Sequence, residues 1–130
     1  MNYLLDTNVL SELSKPSPDT RVETWFDRVP EESLYVSVVT LGEIQSGIER
    51  RAEGAKRNSL LLWFGELQEA FLGNILPFDT DTALLWGRTR RLPLMDGLIA
   101  ATALRHSMVL VTRNRPDFAP VGVDVFDPWE

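Results

Sequence analysis

Five oxygen-bearing side chains stand where apolar runs give way to polar turns. Asp6 ends "NYLL", Glu43 falls in "VSVVTLGEIQSG", Asp96 in "LPLMDGLIAATAL", and Asn114 and Asp117 in "LVTRNRPDF". Functional groups of open α/β sheets collect at the carboxyl ends of the strands, and four of these five positions meet that condition directly. Asp96 opens the helix before the fourth strand, so tertiary structure must carry it to the same edge. Carboxylates gathered at one edge are oxygen donors suited to hard divalent cations. Each residue also has an ordinary structural duty open to it. Asp6 can cap the helix it precedes, and Thr40 with Glu43 fits the S/T-x-x-E capping box. Asp96 before "GLIAATAL" reads as an N-cap, and Asn114 and Asp117 flank Pro116 in a turn.

Other chemistries are closed by composition. With no cysteine among the 130 residues, thiolate nucleophiles, zinc–thiolate centres, iron–sulfur clusters and disulfides are excluded. His106 is the single histidine, placed near a helix end as a C-terminal residue, and no Ser–His–Asp arrangement can be assembled without it. No G-x-x-x-x-G-K-[ST] phosphate loop occurs. The net charge of −6 argues against nucleic-acid binding by bulk electrostatics alone. It does not argue against chemistry on phosphates, because metal-binding carboxylates are themselves negative until the ion arrives. Lys15 and Lys56 are the only lysines; eight of the eleven arginines fall in the groups Arg50–Arg51 with Arg57, Arg88/Arg90/Arg91, and Arg113/Arg115. Such groups are either solvated helix faces or phosphate contacts at the rim of an acidic pocket.

The elements that must position these residues alternate along the chain. "NYLL" (Asn2–Leu5), "LYVSV" (Leu34–Val38), "NILPF" (Asn74–Phe78), "MVLVT" (Met108–Thr112) and "VDVF" (Val123–Phe126) read as strands. The proline inside the third suits an edge strand. Helical patterns cover about Thr7–Leu13, Pro18–Arg28, Val39–Arg51, Ala55–Leu72, Thr80–Arg90 and Asp96–His106. The alternation predicts an α/β fold whose mostly parallel sheet carries helices on both faces, with residues 1–130 as one domain. In "NSLLLWFGELQEAFLG" the apolar positions exceed a single core-facing stripe, which predicts either a helix buried between layers or a protein-binding face. No leader-like segment and no apolar run of membrane-spanning length is present in the sequence, so a cytoplasmic protein without membrane contact is expected.

"LLDTNVLSEL", "VSVVTLGEIQSGIE", "LMDGLIAATAL" and "LVTRNRPDF" together resemble, in order and over essentially the whole chain, the successive signatures of the PIN domain. The nearest branch in resemblance is that of the VapC-like and FitB-like toxins of bacterial toxin–antitoxin pairs. The pairing of "LDTN" with "DGLIAATA" is far more specific than either alone. The resemblance implies a three-layer α/β/α sandwich with a sheet of about five strands. It also implies a ribonuclease dependent on Mg²⁺, with Mn²⁺ as the alternative, that hydrolyses RNA with metal-activated water. By motif matching, Asp6, Glu43 and Asp96 take the positions of the three principal acids. Asn114 stands where many relatives carry a further acid, and Asp117 just beyond it is placed to supply the missing charge. Thr7 and Asn8 match the polar pair that orients the ligands. Arg113 or Arg115 is placed to reach substrate phosphate.

The same resemblance implies a small antitoxin partner, with an arginine able to enter the acidic pocket, and a homodimer. This chain departs from the pattern at Asn114 and in the short Arg88–Asp96 connection, where relatives usually carry a longer stretch. Two other classes compete. A PIN-like binding module with a defective acidic site is suggested by Asn114. An aspartyl-phosphate phosphotransfer domain is disfavoured because "DTN" lacks a second acid two residues after Asp6 and neither lysine follows a late strand.

Overall fold

In the computed structural model, which describes residues 1–89 and 91–130, five short strands form one sheet in the order β3-β2-β1-β4-β5. They are β1 (Tyr3–Leu5), β2 (Leu34–Ser37), β3 (Ile75–Leu76), β4 (Val109–Val111) and β5 (Val125–Phe126). Every pairing is parallel, in register Tyr3 with Leu34 and Val109, Val36 with Ile75, and Leu110 with Val125. Parallel strands need helical crossovers, which cover both faces and explain why Leu4, Leu5, Val36, Leu110 and Val111 are fully buried. β3 lies at the edge, as its proline requires: Pro77 follows the last paired residue, where no ladder N–H is lost.

The side chains alternate between two cores with the period of two that a strand imposes. Leu5, Leu34, Val36 and Val111 face one core, built with Val9, Ile44, Phe64 and Phe71 from the helices. Leu4 and Leu110 face the other, built with Ile99, Ala100, Ala103 and Phe118. The first core takes α1 (Thr7–Leu13), α2 (Thr20–Arg28), α3 (Val38–Glu49) and α4 (Ala55–Ala70). The second takes α6 (Leu94–Arg105) and α7 (Arg115–Phe118), with α5 (Thr80–Arg88) packed on α6. The result is the expected three-layer α/β/α arrangement.

Helix starts differ from expectation in two places that bear on the site. The cap of α3 is Ser37, whose hydroxyl accepts from the N–H groups of Val39 and Thr40, so Thr40 and Glu43 do not form a capping box. α6 begins at Leu94 behind Pro93, and Asp96 therefore sits within the first turn and is not the N-cap. Both acids are thereby left free of capping duty. The third difference concerns α4. Of its residues only Phe64 is buried, while Leu60, Trp63 and Leu67 lie against the first core; Leu61 and Leu62 remain 39% and 68% exposed. α4 is a surface helix with unpartnered apolar positions and is not enclosed between layers. α7, four residues long, is too short to have shown a periodic pattern. The expected helix to Arg90 ends at Arg88, and Arg90 itself lies outside the described residues.

Candidate active site

The chain leaves β1 toward β2 on one side, while β4 and β5 are laid on the other. The order therefore reverses between β1 and β4, and the crevice beyond their carboxyl ends is the natural binding position of an open parallel sheet. Asp6 leaves β1 there, with its N–H donated to the Val111 carbonyl at 2.9 Å. Its two carboxylate oxygens have separate duties. Oδ1 accepts from the Thr7 N–H at 2.8 Å, which caps α1. Oδ2 accepts from the buried Thr112 hydroxyl at 2.8 Å and, at 3.3 Å, from the Asn8 amide.

Thr112 was not evident from the sequence, where it reads as the last residue of a strand. Its hydroxyl ties the end of β4 to Asp6 and in turn accepts from the Asn8 amide and the Asn114 N–H, both at 3.1 Å. Asn8 completes the bridge, its carbonyl oxygen taking the Arg113 N–H at 3.4 Å. Thr7, one residue after the cap, donates its hydroxyl to Glu43 Oε1 at 2.6 Å and so fixes that carboxylate from α3.

Asp6, Glu43 and Asp96, which come from three separate segments, line one cleft of about 490 Å³ together with Asn8, Arg113 and Asn114. Asp117 is not among the lining residues; it is exposed on α7, although its charge acts on Asp96. Arg113 also faces the cleft, its guanidinium 5.1 Å from the ring centre of buried Trp129. Arg115 turns instead toward Glu130 at 3.7 Å. Glu12 also lines the cleft, and both of its carboxylate oxygens are engaged, accepting from Lys15 at 2.8 Å and from the Asp19 N–H at 2.9 Å.

The electrostatics are those of crowded acids, with no cation among the groups that shift Asp6 or Asp96. Burial pushes the Asp6 carboxyl above the usual aspartate range, against the pull of the Thr112 hydroxyl and the Thr7 N–H; the charges of Asp96 and Glu43 push it further. Asp96 is also raised, first by partial burial and then by Asp117 and Glu43. Among the described residues no three acids are drawn together at coordinating distance. The donor set nevertheless fits a hard divalent cation: anionic oxygens line one cleft, and among the described residues no imidazole or thiolate lines it.

The sequence model of the PIN domain matches residues 3–122. The chain belongs to the PIN domain family. Toxin FitB of Neisseria gonorrhoeae is 37% identical to this PIN domain, with 97% of each chain covered. VapC ribonuclease Y4jK of Sinorhizobium fredii is 36% identical over 98% of this chain and 97% of its own. Among solved structures, FitAcB from Neisseria gonorrhoeae superposes with a TM-score of 0.92 at 36% identity, covering 98% of this chain and 99% of that one. A toxin–antitoxin complex from Klebsiella pneumoniae gives 0.76 at 28% identity, with 99% of both chains covered. The five-stranded parallel sheet and its helical layers are thus the PIN fold, and the acid-lined cleft lies at its topological switch point.

Proposed function

We propose that this chain is an endoribonuclease that acts as the toxin of a toxin–antitoxin pair, and that Asp6, Glu43 and Asp96 hold the Mg²⁺ or Mn²⁺ ion its reaction requires. The observation that carries the reading is the convergence of those three carboxylates on one cleft at the sheet's switch point. The names borne by the relatives, a toxin and a ribonuclease, supply the substrate class. A divalent ion bound there neutralises charge on the scissile phosphate and lowers the pKa of water.

The remaining roles belong to the chain. Thr112, Asn8 and the Thr7 N–H hold Asp6 in one orientation, and the Thr7 hydroxyl holds Glu43, so the carboxylates need not reorganise when substrate arrives. Asn114 exposes an amide to the cleft, which serves to orient the attacking water by accepting or donating. Asp117, set back on α7, contributes through charge or an intervening water. Arg113, braced on Trp129, is a cation at the cleft placed for substrate phosphate.

The partner in this reading is an antitoxin protein, as in the toxin–antitoxin complex from Klebsiella pneumoniae. Leu61 and Leu62 on α4 are apolar positions that such a partner can cover. A homodimer belongs to the same proposal, and exposed Leu84, Leu94 and Met95 on α5 and α6 offer it unpaired apolar surface.

The test is cleavage of single-stranded RNA by the purified protein in Mg²⁺ or Mn²⁺, with and without EDTA. Cleavage that EDTA abolishes and that Asp6→Ala lowers by about 100-fold or more is expected, since the substitution removes a charge held by hydrogen bonds. Calorimetry showing no Mn²⁺ binding at millimolar concentration would instead identify a PIN-like binding module.

A further inference from the structure

A second hollow, of about 460 Å³, adjoins the acidic cleft. It runs between the end of α1, α3 and the start of α4, and it shares Thr7, Ser11, Lys15 and Glu43 with the cleft. Its character is opposite. Lys15, Arg50, Arg51 and Lys56 line it, and among the described residues Glu43, at the shared end, is the only acid that does. In a chain of net charge −6, both lysines have been gathered into one groove.

These cations are not consumed by the fold. Arg50, Arg51 and Lys56 are exposed, and none forms an ion pair among the described residues. Arg57, their neighbour, is the contrast: it is bound to Glu49 at 2.9 Å and does not line the groove. Lys15 is held by Glu12 at 2.8 Å, yet its side chain stays 58% exposed, which fixes an ammonium at the junction of the two hollows. Trp63 supplies an aromatic surface, half-buried and packed against Phe64 with ring centres 6.4 Å apart.

A positively charged channel with an aromatic side chain is the arrangement that binds single-stranded nucleic acid without reading its sequence. We infer that this groove is the substrate track: single-stranded RNA leaves the acidic cleft past Lys15, lays successive phosphates on Arg50, Arg51 and Lys56, and stacks a base on Trp63. The inference rests on the ribonuclease reading and extends it, because it assigns the binding energy and the path of the strand. It also accounts for how so acidic a protein holds a polyanion. The carboxylates take the scissile phosphate only with a cation present, while the flanking phosphates meet fixed positive charge.

The experiment separates binding from cleavage. Affinity of a short fluorescein-labelled single-stranded RNA is measured by anisotropy across a salt series in Mg²⁺, using Asp96→Asn protein so that the probe survives. Adding Arg51→Gln and Lys56→Gln is expected to lower affinity by about tenfold. It should also reduce the slope of log affinity against log salt by about 1.4, because each single-strand phosphate neutralised by a cation adds roughly 0.7 to it. Trp63→Leu is expected to lower affinity by a similar factor with the slope unchanged, and Trp63→Phe to restore most of it, because stacking carries no counterion release. In the cleaving protein the paired charge substitutions should raise KM and leave kcat within about twofold, the signature of weakened ground-state binding.

Unchanged affinity and slope overturn the proposal. So does a result in which the groove variants keep RNA affinity but lose a co-expressed antitoxin, which makes the groove a protein site. If the wild type binds RNA through the groove yet cleaves none with Mg²⁺ or Mn²⁺, the ribonuclease reading fails while the track stands. If it cleaves with no dependence on the groove, the track fails alone.

Discussion

At the scale of single residues, the site is organised by hydroxyls as much as by acids. Thr112 donates to Asp6 Oδ2, and Thr7 donates to Glu43, so each of two carboxylates is aimed by a neighbour with no charge of its own. Replacing Thr112 by Val keeps the shape and removes the donor. Because Asp6 is almost fully buried, the loss leaves a poorly satisfied carboxylate, and a cost of about 1–3 kcal/mol in unfolding free energy is expected from denaturant melts. RNA cleavage should fall by about tenfold as the orientation of Asp6 loosens; a Thr112→Val protein with wild-type rate and stability would show that the hydroxyl has no part in the site. The sequence made Asp6 conspicuous because an acid directly after a buried strand is unusual unless it caps or ligates. The structure shows that the capping residue also lines the cleft, its Oδ1 taking the Thr7 N–H and its Oδ2 the Thr112 and Asn8 donors. Thr112 stayed hidden because a threonine at a strand end is what β-propensity alone would place there.

At the scale of elements, the strands were legible as apolar runs and the order of their helices followed. What was not legible was which residue starts each helix. The cap of α3 moved back to Ser37, and α6 began at Leu94, where exposed Leu94 and Met95 give no core-facing period to mark the start. Nor could spacing show that α6 delivers Asp96 to the edge reached by β1. Close packing on α5 makes that delivery possible. A Cβ on Gly97, the residue beside Asp96, would meet Trp86 Nε1 at 3.0 Å and Cδ1 at 3.3 Å. Gly97→Ala therefore gains helix propensity of about 1 kcal/mol and spends a similar amount on moving α6 from α5. Stability should stay within about 1 kcal/mol of wild type, while cleavage falls by up to about 100-fold as Asp96 is displaced. Equal activity in a folded Gly97→Ala protein, with folding checked by near-UV circular dichroism, would contradict that role.

At the scale of the whole molecule, the acidic cleft opposes folding and favours cation binding. Asp6 and Asp96 have pKa values raised above that of an unfolded aspartate, so between the two values the folded chain holds protons that the unfolded chain has released. Stability in the absence of metal should therefore decline as pH rises from the ordinary aspartate range through the raised one, and the penalty persists at neutral pH. Mg²⁺ or Mn²⁺ should reverse it: the melting temperature is expected to rise with metal at pH 7 and to rise less as pH falls and protons compete for the same oxygens. In metal-free buffer Asp96→Asn should be slightly the more stable protein, by less than about 1 kcal/mol because Asp96 is partly in solvent. The negative net charge, which at first weighs against a nucleic-acid enzyme, is in this account divided in space, with acids at the cleft and unpaired cations in the groove beside it.

The proposed site requires Asp6, Glu43 and Asp96 to act together through a divalent ion on RNA. The most direct measurement is the single-turnover rate of RNA cleavage by wild-type and Asp96→Asn proteins in Mn²⁺, each with and without EDTA. EDTA-sensitive cleavage by the wild type is expected, with a loss of about 100-fold or more in Asp96→Asn, whose amide matches the carboxylate in volume but carries no charge. Cleavage by Asp96→Asn at the wild-type rate, or wild-type cleavage that survives EDTA, would contradict that requirement.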